Sequence, residues 1–201
     1  MFVWTDKVCI ITGGCTGIGW AFLQNVLDKG AKCLITDLQY QDNGAEKVQE
    51  LQKEFGQEKV VYFKVDLDSA FENCVQVFGR VDVLINCHGI NQEINWPLKL
   101  QINLNESIKG CKLGLKYMGK NGYGGPASTN TGGVVMNVSS IEETTPIKPL
   151  FESSSYHGFG MVESAETIDE NSPWKNQRPG GFADHGVKMI FVRIQWQHPL
   201  R

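Results

Sequence analysis

The sequence predicts an α/β domain of the doubly wound, Rossmann type: a parallel sheet with helices on both faces, three layers in all. Three observations carry that expectation. Short apolar, β-branched runs alternate with stretches of helical spacing five times over. The first run leads into a glycine-rich string, Thr12-Gly13-Gly14-Cys15-Thr16-Gly17-Ile18-Gly19, which opens directly into a helix-like stretch. The second and third runs each end on an acid, Asp37 and Asp66. The 201 residues are expected to form one domain, regular to about residue 160, with 161–201 degenerate and the C-terminal part incomplete.

Taken in order, Val8-Cys9-Ile10-Ile11 is the first strand, and Gly17 to about Lys29 the first helix, stopped by Gly30. Ala31 to Thr36 is the second strand. Ala45, Val48, Leu51 and Phe55 recur at helical spacing, and Gly56 closes that helix. Val60 to Val65 is β-branched and aromatic, a third strand. Asp68 or Ser69 is placed to cap a short helix reaching about Val77. Val81 to Ile85 is the fourth strand and runs into Asn86-Cys87-His88-Gly89. A long helix follows, with Leu104, Ile108, Cys111, Leu115 and Met118 as its apolar seam. Residues 121–133 are rich in Gly, Ser, Thr and Asn and read as loop. Val134 to Val138 is the fifth strand. Glu163 to Gly181 is polar without sustained periodicity, and Val187 to Val192 is a sixth strand candidate.

Composition excludes several classes. The apolar fraction of 41% and charged fraction of 20% are ordinary for a globular protein, and a net charge of −3 gives no electrostatic case for nucleic acid or an anionic membrane. No apolar run is long enough to span a bilayer, and the N-terminus has no secretory pattern. The six cysteines, at 9, 15, 33, 74, 87 and 111, contain no C-x-x-C pair. Reduced thiols and a cytoplasmic location are the expectation. His88, His185 and His198 lack metal-ligand spacing with nearby acids and read as structural.

In a doubly wound sheet, ligands lie beyond the carboxyl ends of the strands, where the strand order reverses. Glycines after the first strand let the chain turn tightly, and the N–H groups of the new helix then face an anion such as a pyrophosphate. Asp37 stands 18 residues beyond Gly19. A carboxylate there can accept from both ribose hydroxyls of NAD and repels the extra phosphate of NADP, and Leu38-Gln39-Tyr40 bring no cation beside it. NAD is therefore the expected cofactor. For Asp66 two readings stay open, a hydrogen bond to the adenine amino group or a cap on the next helix. Asn86 and Gly89 would let the chain pass close under the cofactor. The full cofactor set is Gly13, Gly17, Ile18, Gly19, Asp37, Leu38, Asp66, Leu67, Asn86 and Gly89.

The order T-G-x-x-x-G-x-G, then Asp, then N-x-x-G, then V-S-S resembles the short-chain dehydrogenase/reductase family. The likeness covers about residues 6–160, is densest between Phe78 and Ser140, and returns weakly at 185–194. It implies that Gly13, Gly17 and Gly19 hold the pyrophosphate, that Asp37 selects NAD, and that Asp66-Leu67 lie beside the adenine. Asn86 and Gly89 match the ends of the family's N-N-A-G, with Cys87 and His88 in its middle. Asn103 matches the asparagine that holds a water in the proton relay, and Ser140 the serine that hydrogen-bonds the substrate oxygen. The implied reaction oxidises a secondary alcohol, or a hydroxy-lipid, to a ketone, and a homodimer is the implied assembly.

One part of the family pattern does not transfer. The family reaction uses a tyrosine as acid/base and a lysine four residues later to lower its pKa. Thirteen positions beyond Ser140 stands Ser153, and four further His157; none of the five tyrosines is followed at four by lysine. Tyr156 is the remaining candidate for the acid/base. The expectation divides three ways: an active NAD-dependent dehydrogenase, a catalytically silent NAD-binding relative, or a truncated product.

Overall fold

The computed structural model describes residues 2–37, 44–64, 66–90, 95–120, 132–140, 160–168 and 187–196. Strands β1 (Val8–Thr12), β2 (Lys32–Thr36), β3 (Val60–Phe63), β4 (Val83–Asn86) and β5 (Gly133–Ser140) alternate with helices α1 (Gly17–Asp28), α2 (Gly44–Phe55) and α3 (Leu67–Phe78). Between β4 and β5 come α4 (Trp96–Leu100), a π-helical segment (Gln101–Asn105) and α5 (Glu106–Met118). Strands β6 (Gly160–Ile168) and β7 (Val187–Trp196) complete the described sheet. Its order is β3-β2-β1-β4-β5-β7-β6, parallel throughout except that β6 runs antiparallel to β7. The doubly wound α/β fold is thus present.

Strand alternation divides the core in two. Cys9 and Ile11 point to one face, against Leu23, Val26 and Leu27 of α1 and Val48 and Leu51 of α2. Val8 and Ile10 point to the other, against Phe71 and Cys74 of α3 and Leu113, Tyr117 and Met118 of α5. Covering both faces is what lets β1 run apolar from Val8 to Ile11, with every residue of the strand, Thr12 included, buried. At the amino end of the sheet the carboxylate of buried Asp82 accepts from Val8 N (3.0 Å) and pairs with Arg80 and Lys7.

Helix stops fall where the sequence placed them: Gly30 and Gly56 both have positive φ, as does Gly79 after α3. Three expectations are corrected. The cap of α3 is Asp66, one of the two readings left open for it, whose side chain accepts from Ser69 N at 2.9 Å; neither Asp68 nor Ser69 is the cap, and the helix begins at Leu67 and runs 12 residues. The buried face of α5 is Gly110, Leu113, Gly114, Tyr117 and Met118. Leu104, within the π segment, and Ile108, on the side of α5 away from Leu113 and Tyr117, are about half exposed. Finally, β6 forms within a stretch read as aperiodic. Its ladder to β7 is made by backbone groups and tolerates a register shift between Val162 and Ser164, so a polar edge strand carries little alternation to read.

Candidate functional site

The strand order reverses between β1 and β4, and the chain's polar motifs converge on the carboxyl ends of these two strands. Gly13 leaves β1 with φ +63° and donates from its N–H to the Thr36 carbonyl at 2.9 Å, tying the turn to the end of β2. A Cβ on Gly13 would lie 2.9 Å from His88 Cα and 3.0 Å from the Cys87 carbonyl oxygen, so the turn rests directly on the chain leaving β4. At Gly19 a Cβ would drive into the Gly13 carbonyl, which requires glycine where α1 crosses its own entry turn. Gly17 has φ +52° and open space around its Cα. Thr16 makes no side-chain cap bond to α1, and the first turn of the helix holds no acid. Half-buried Ile18 completes that turn. The start of α1 thus presents its positive end over an open glycine surface, with no acidic side chain in its first turn.

Asp37 directly follows β2. Its field bears on both neighbouring thiols: Cys15 is pushed up to about 11 and Cys87 to about 12, chiefly by burial and next by the Asp37 carboxylate. Both shifts favour the un-ionised thiol at neutral pH. All six cysteines are free. Asp66 is exposed, and its bond from Ser69 N holds its carboxyl below the usual range. Of its two open readings, the cap is the one the geometry displays. Leu67 is buried in the core formed with α3.

Asn86 is buried and internal: Nδ2 donates to Asn137 Oδ1 of β5 (2.8 Å) and to the Ser107 carbonyl of α5 (3.4 Å). Gly110 makes room for it, since a Cβ there would sit 2.6 Å from Asn86 Oδ1. Exposed Gly89 lies below Asn103, with 3.5 Å from its would-be Cβ to Asn103 Oδ1. Asn103 sits within the π segment and clasps the backbone of Ile90, accepting from its N–H at 2.8 Å and donating to its carbonyl at 3.0 Å. Its own carbonyl accepts from the Ser107 hydroxyl at 2.9 Å. Ser140 ends β5, its backbone opposite Ile194 of β7. Leu38 and Tyr156 lie outside the described residues.

Sequence reasoning missed Thr12. This last residue of β1 is buried, and its hydroxyl gathers contacts from Ile85, Cys87 and His88. The available signal was a polar residue ending an otherwise apolar strand. No group of three or more metal-ligating side chains occurs among the described residues, and no described helix is long and apolar enough to cross a membrane.

The sequence profile of the short chain dehydrogenase family matches residues 7–157. The chain belongs to the short-chain dehydrogenase family. Rat and human 15-hydroxyprostaglandin dehydrogenase [NAD(+)] are each 35% identical to it over 167 residues, covering 79% of this chain and 60% of theirs. The 3beta-hydroxysteroid dehydrogenase 2 of Eggerthella lenta is 30% identical over 154 residues, 69% of this chain and 55% of that protein. The chain thus spans about 60% of the length of the prostaglandin dehydrogenases it matches. Among solved structures, a short chain dehydrogenase/reductase from Burkholderia phymatum in complex with NAD superposes with a TM-score of 0.61 at 20% identity, over 73% of this chain and 53% of that one. That likeness concerns the fold alone. The family is one of oxidoreductases.

Proposed function

We propose that this chain binds NAD, with the Gly13–Gly19 turn holding the pyrophosphate and Asp37 the adenosine ribose. The observation that carries the reading is the glycine geometry: a turn in which side chains are excluded at Gly13 and Gly19, beside open space at Gly17 and an uncapped helix start. The cofactor, when bound, supplies a hydride acceptor for oxidation of a secondary alcohol. The chain's own residues then act as positioners. Asp37 accepts from the ribose hydroxyls and disfavours a 2′-phosphate, Gly89 lets the backbone approach, and Asn103 pins the segment at Ile90 through two hydrogen bonds. Ser140, at the end of β5, is the residue to hydrogen-bond a substrate oxygen. Asp66-Leu67 would lie beside the adenine through backbone and cap, since the Leu67 side chain is buried.

A substrate of the secondary-alcohol or hydroxy-lipid class follows from likeness to the prostaglandin dehydrogenases, which are named for that chemistry. A specific observation favours binding over turnover, namely that no tyrosine here is followed four residues on by lysine. A seryl hydroxyl at 153 is far too weak an acid to replace an activated phenol. Calorimetry with NAD and NADP tests the binding reading, and absence of affinity for NAD removes it. NADH formation on a panel of secondary alcohols and hydroxy-lipids would overturn the silent reading, and its loss in Tyr156→Phe would assign the acid/base to Tyr156. A homodimer is part of the proposal, supported by the exposed apolar series Trp96, Leu98, Leu100, Leu104 and Ile108 along α4, the π segment and α5.

A further inference from the structure

His88 occupies the centre of the family's N-x-x-G segment and is partly buried beneath the glycine turn. A count of its hydrogen bonds fixes the state of its ring. Thr12 Oγ1 lies 3.1 Å from Cys87 N and 3.3 Å from His88 N, and both of these groups can only donate. A hydroxyl has two acceptor sites and one proton, so the two amides fill its acceptor capacity. Its proton has two candidate destinations, His88 Nδ1 at 2.6 Å and the Ile85 carbonyl at 3.4 Å. The shorter contact takes it. Nδ1 is then the acceptor, and the ring proton of a neutral imidazole must reside on Nε2.

We propose that His88 is a positioning residue of the nucleotide turn: as the neutral, Nε2-protonated ring it receives the Thr12 proton and so locks the end of β1 against the chain leaving β4. This role rests on the reading that the turn holds a dinucleotide. The backbone geometry explains why the lock matters there. Gly13 lies on His88 Cα and the Cys87 carbonyl with no room for a Cβ, so any change in the spacing of the two strand ends moves the turn itself. Thr12 and Asn86 are register partners at those ends.

Protonating the ring reverses the arrangement. An Nδ1–H would face a hydroxyl whose acceptor sites are already occupied, and either the Cys87 or the His88 amide would lose its partner. The surroundings favour the neutral form. Burial lowers the His88 pKa, and this outweighs the opposing pull of the Ile102 carbonyl in the π segment, of Glu106 at the start of α5 and of Asp37 after β2. Nε2 is buried with no hydrogen-bond partner among the described residues. With the folded-state pKa below the ordinary value of about 6.5, the lock is intact above that pH and is lost as pH falls through the folded value.

The test uses the full chain. NAD binding is measured by calorimetry between pH 8 and pH 5.5 for the wild type, His88→Gln and His88→Ala. The wild type is expected to lose about threefold in affinity by pH 5.5, short of the roughly tenfold that an unshifted ring of pKa about 6.5 would give there. His88→Gln, whose amide offers an acceptor and a donor at every pH, should bind as the wild type does at pH 8 and stay level down to 5.5. His88→Ala should be level and about fivefold weaker at pH 8, having no acceptor for the Thr12 proton. The other three histidines remain in all proteins, so the difference isolates His88. Nitrogen-15 NMR of the wild-type imidazoles, free of nucleotide, should show one ring with bare Nδ1 and protonated Nε2 that disappears in His88→Gln. An Nδ1–H ring, or an acid loss of affinity that persists in His88→Gln, overturns this inference alone. A wild type without affinity for NAD at pH 8 overturns the dinucleotide reading and this role together.

Discussion

Single side chains decide two properties that can be measured separately. Asp37, directly after β2, is the residue proposed to hold the ribose. Asp37→Asn should weaken NAD binding by about tenfold and narrow the preference over NADP. Calorimetry with both nucleotides checks both effects. Asp82 is the reverse case. It is buried at the opposite end of the sheet, accepts from Val8 N and pairs with two cations, far from the glycine turn. Asp82→Ala leaves those donors without their acceptor and should cost about 3 kcal/mol in urea denaturation. If the loss were below 0.5 kcal/mol in order of magnitude, the ion cluster would be a surface pair of no consequence.

Among the elements, α3 and the π segment carry the most information. Asp66 caps α3 and is held charged by the Ser69 amide. Removing it in Asp66→Ala should cost about 1 kcal/mol at neutral pH. The sign of its pH dependence follows from the lowered folded-state pKa. The cap's contribution is present above the unfolded value of about 3.9 and is lost as pH falls through the folded value, so the variant should show a flatter acid limb in stability against pH. The π segment presents Asn103 to Ile90, where the side-chain amide supplies one acceptor and one donor. Asn103→Ala should release the Ile90 amide, and hydrogen exchange there should accelerate about tenfold while exchange within β1 stays slow. Equal protection in the variant would mean that the α4–α5 packing, and not Asn103, holds this segment.

At the scale of the molecule, the sheet brings distant motifs to one edge: the turn after β1, Asp37 after β2 and the chain leaving β4 converge because β1 lies between β2 and β4. The exposed apolar series from Trp96 to Ile108 belongs to the helical layer beyond that edge. If two copies pair through it, the 22.4 kDa chain should sediment as a dimer, and Ile108→Asp together with Leu104→Asp should give a monomer with unchanged thermal stability. A wild type that sediments as a monomer at all concentrations would remove the dimer from the proposed function.

The sequence by itself determined the order of strands and helices to Ser140, the glycine stops at 30 and 56, the family, and the place of the glycine turn. It did so because apolar period, β-branching and positive-φ glycines are local properties of the chain. Tertiary structure decided what local pattern cannot hold. The buried face of α5 is chosen by close packing, Gly110 against Asn86 of β4 and Gly114 against Val135 of β5, so Ile108 is left half exposed while Tyr117 and Met118 are buried. Strand β6 formed because a backbone ladder to β7 needs no apolar alternation. Thr12 and His88 are 76 positions apart in the chain and meet at 2.6 Å only because β1 and β4 are neighbours. A hydrogen bond between residues so distant in sequence has no signature in either of them, and the parallel sheet alone creates it.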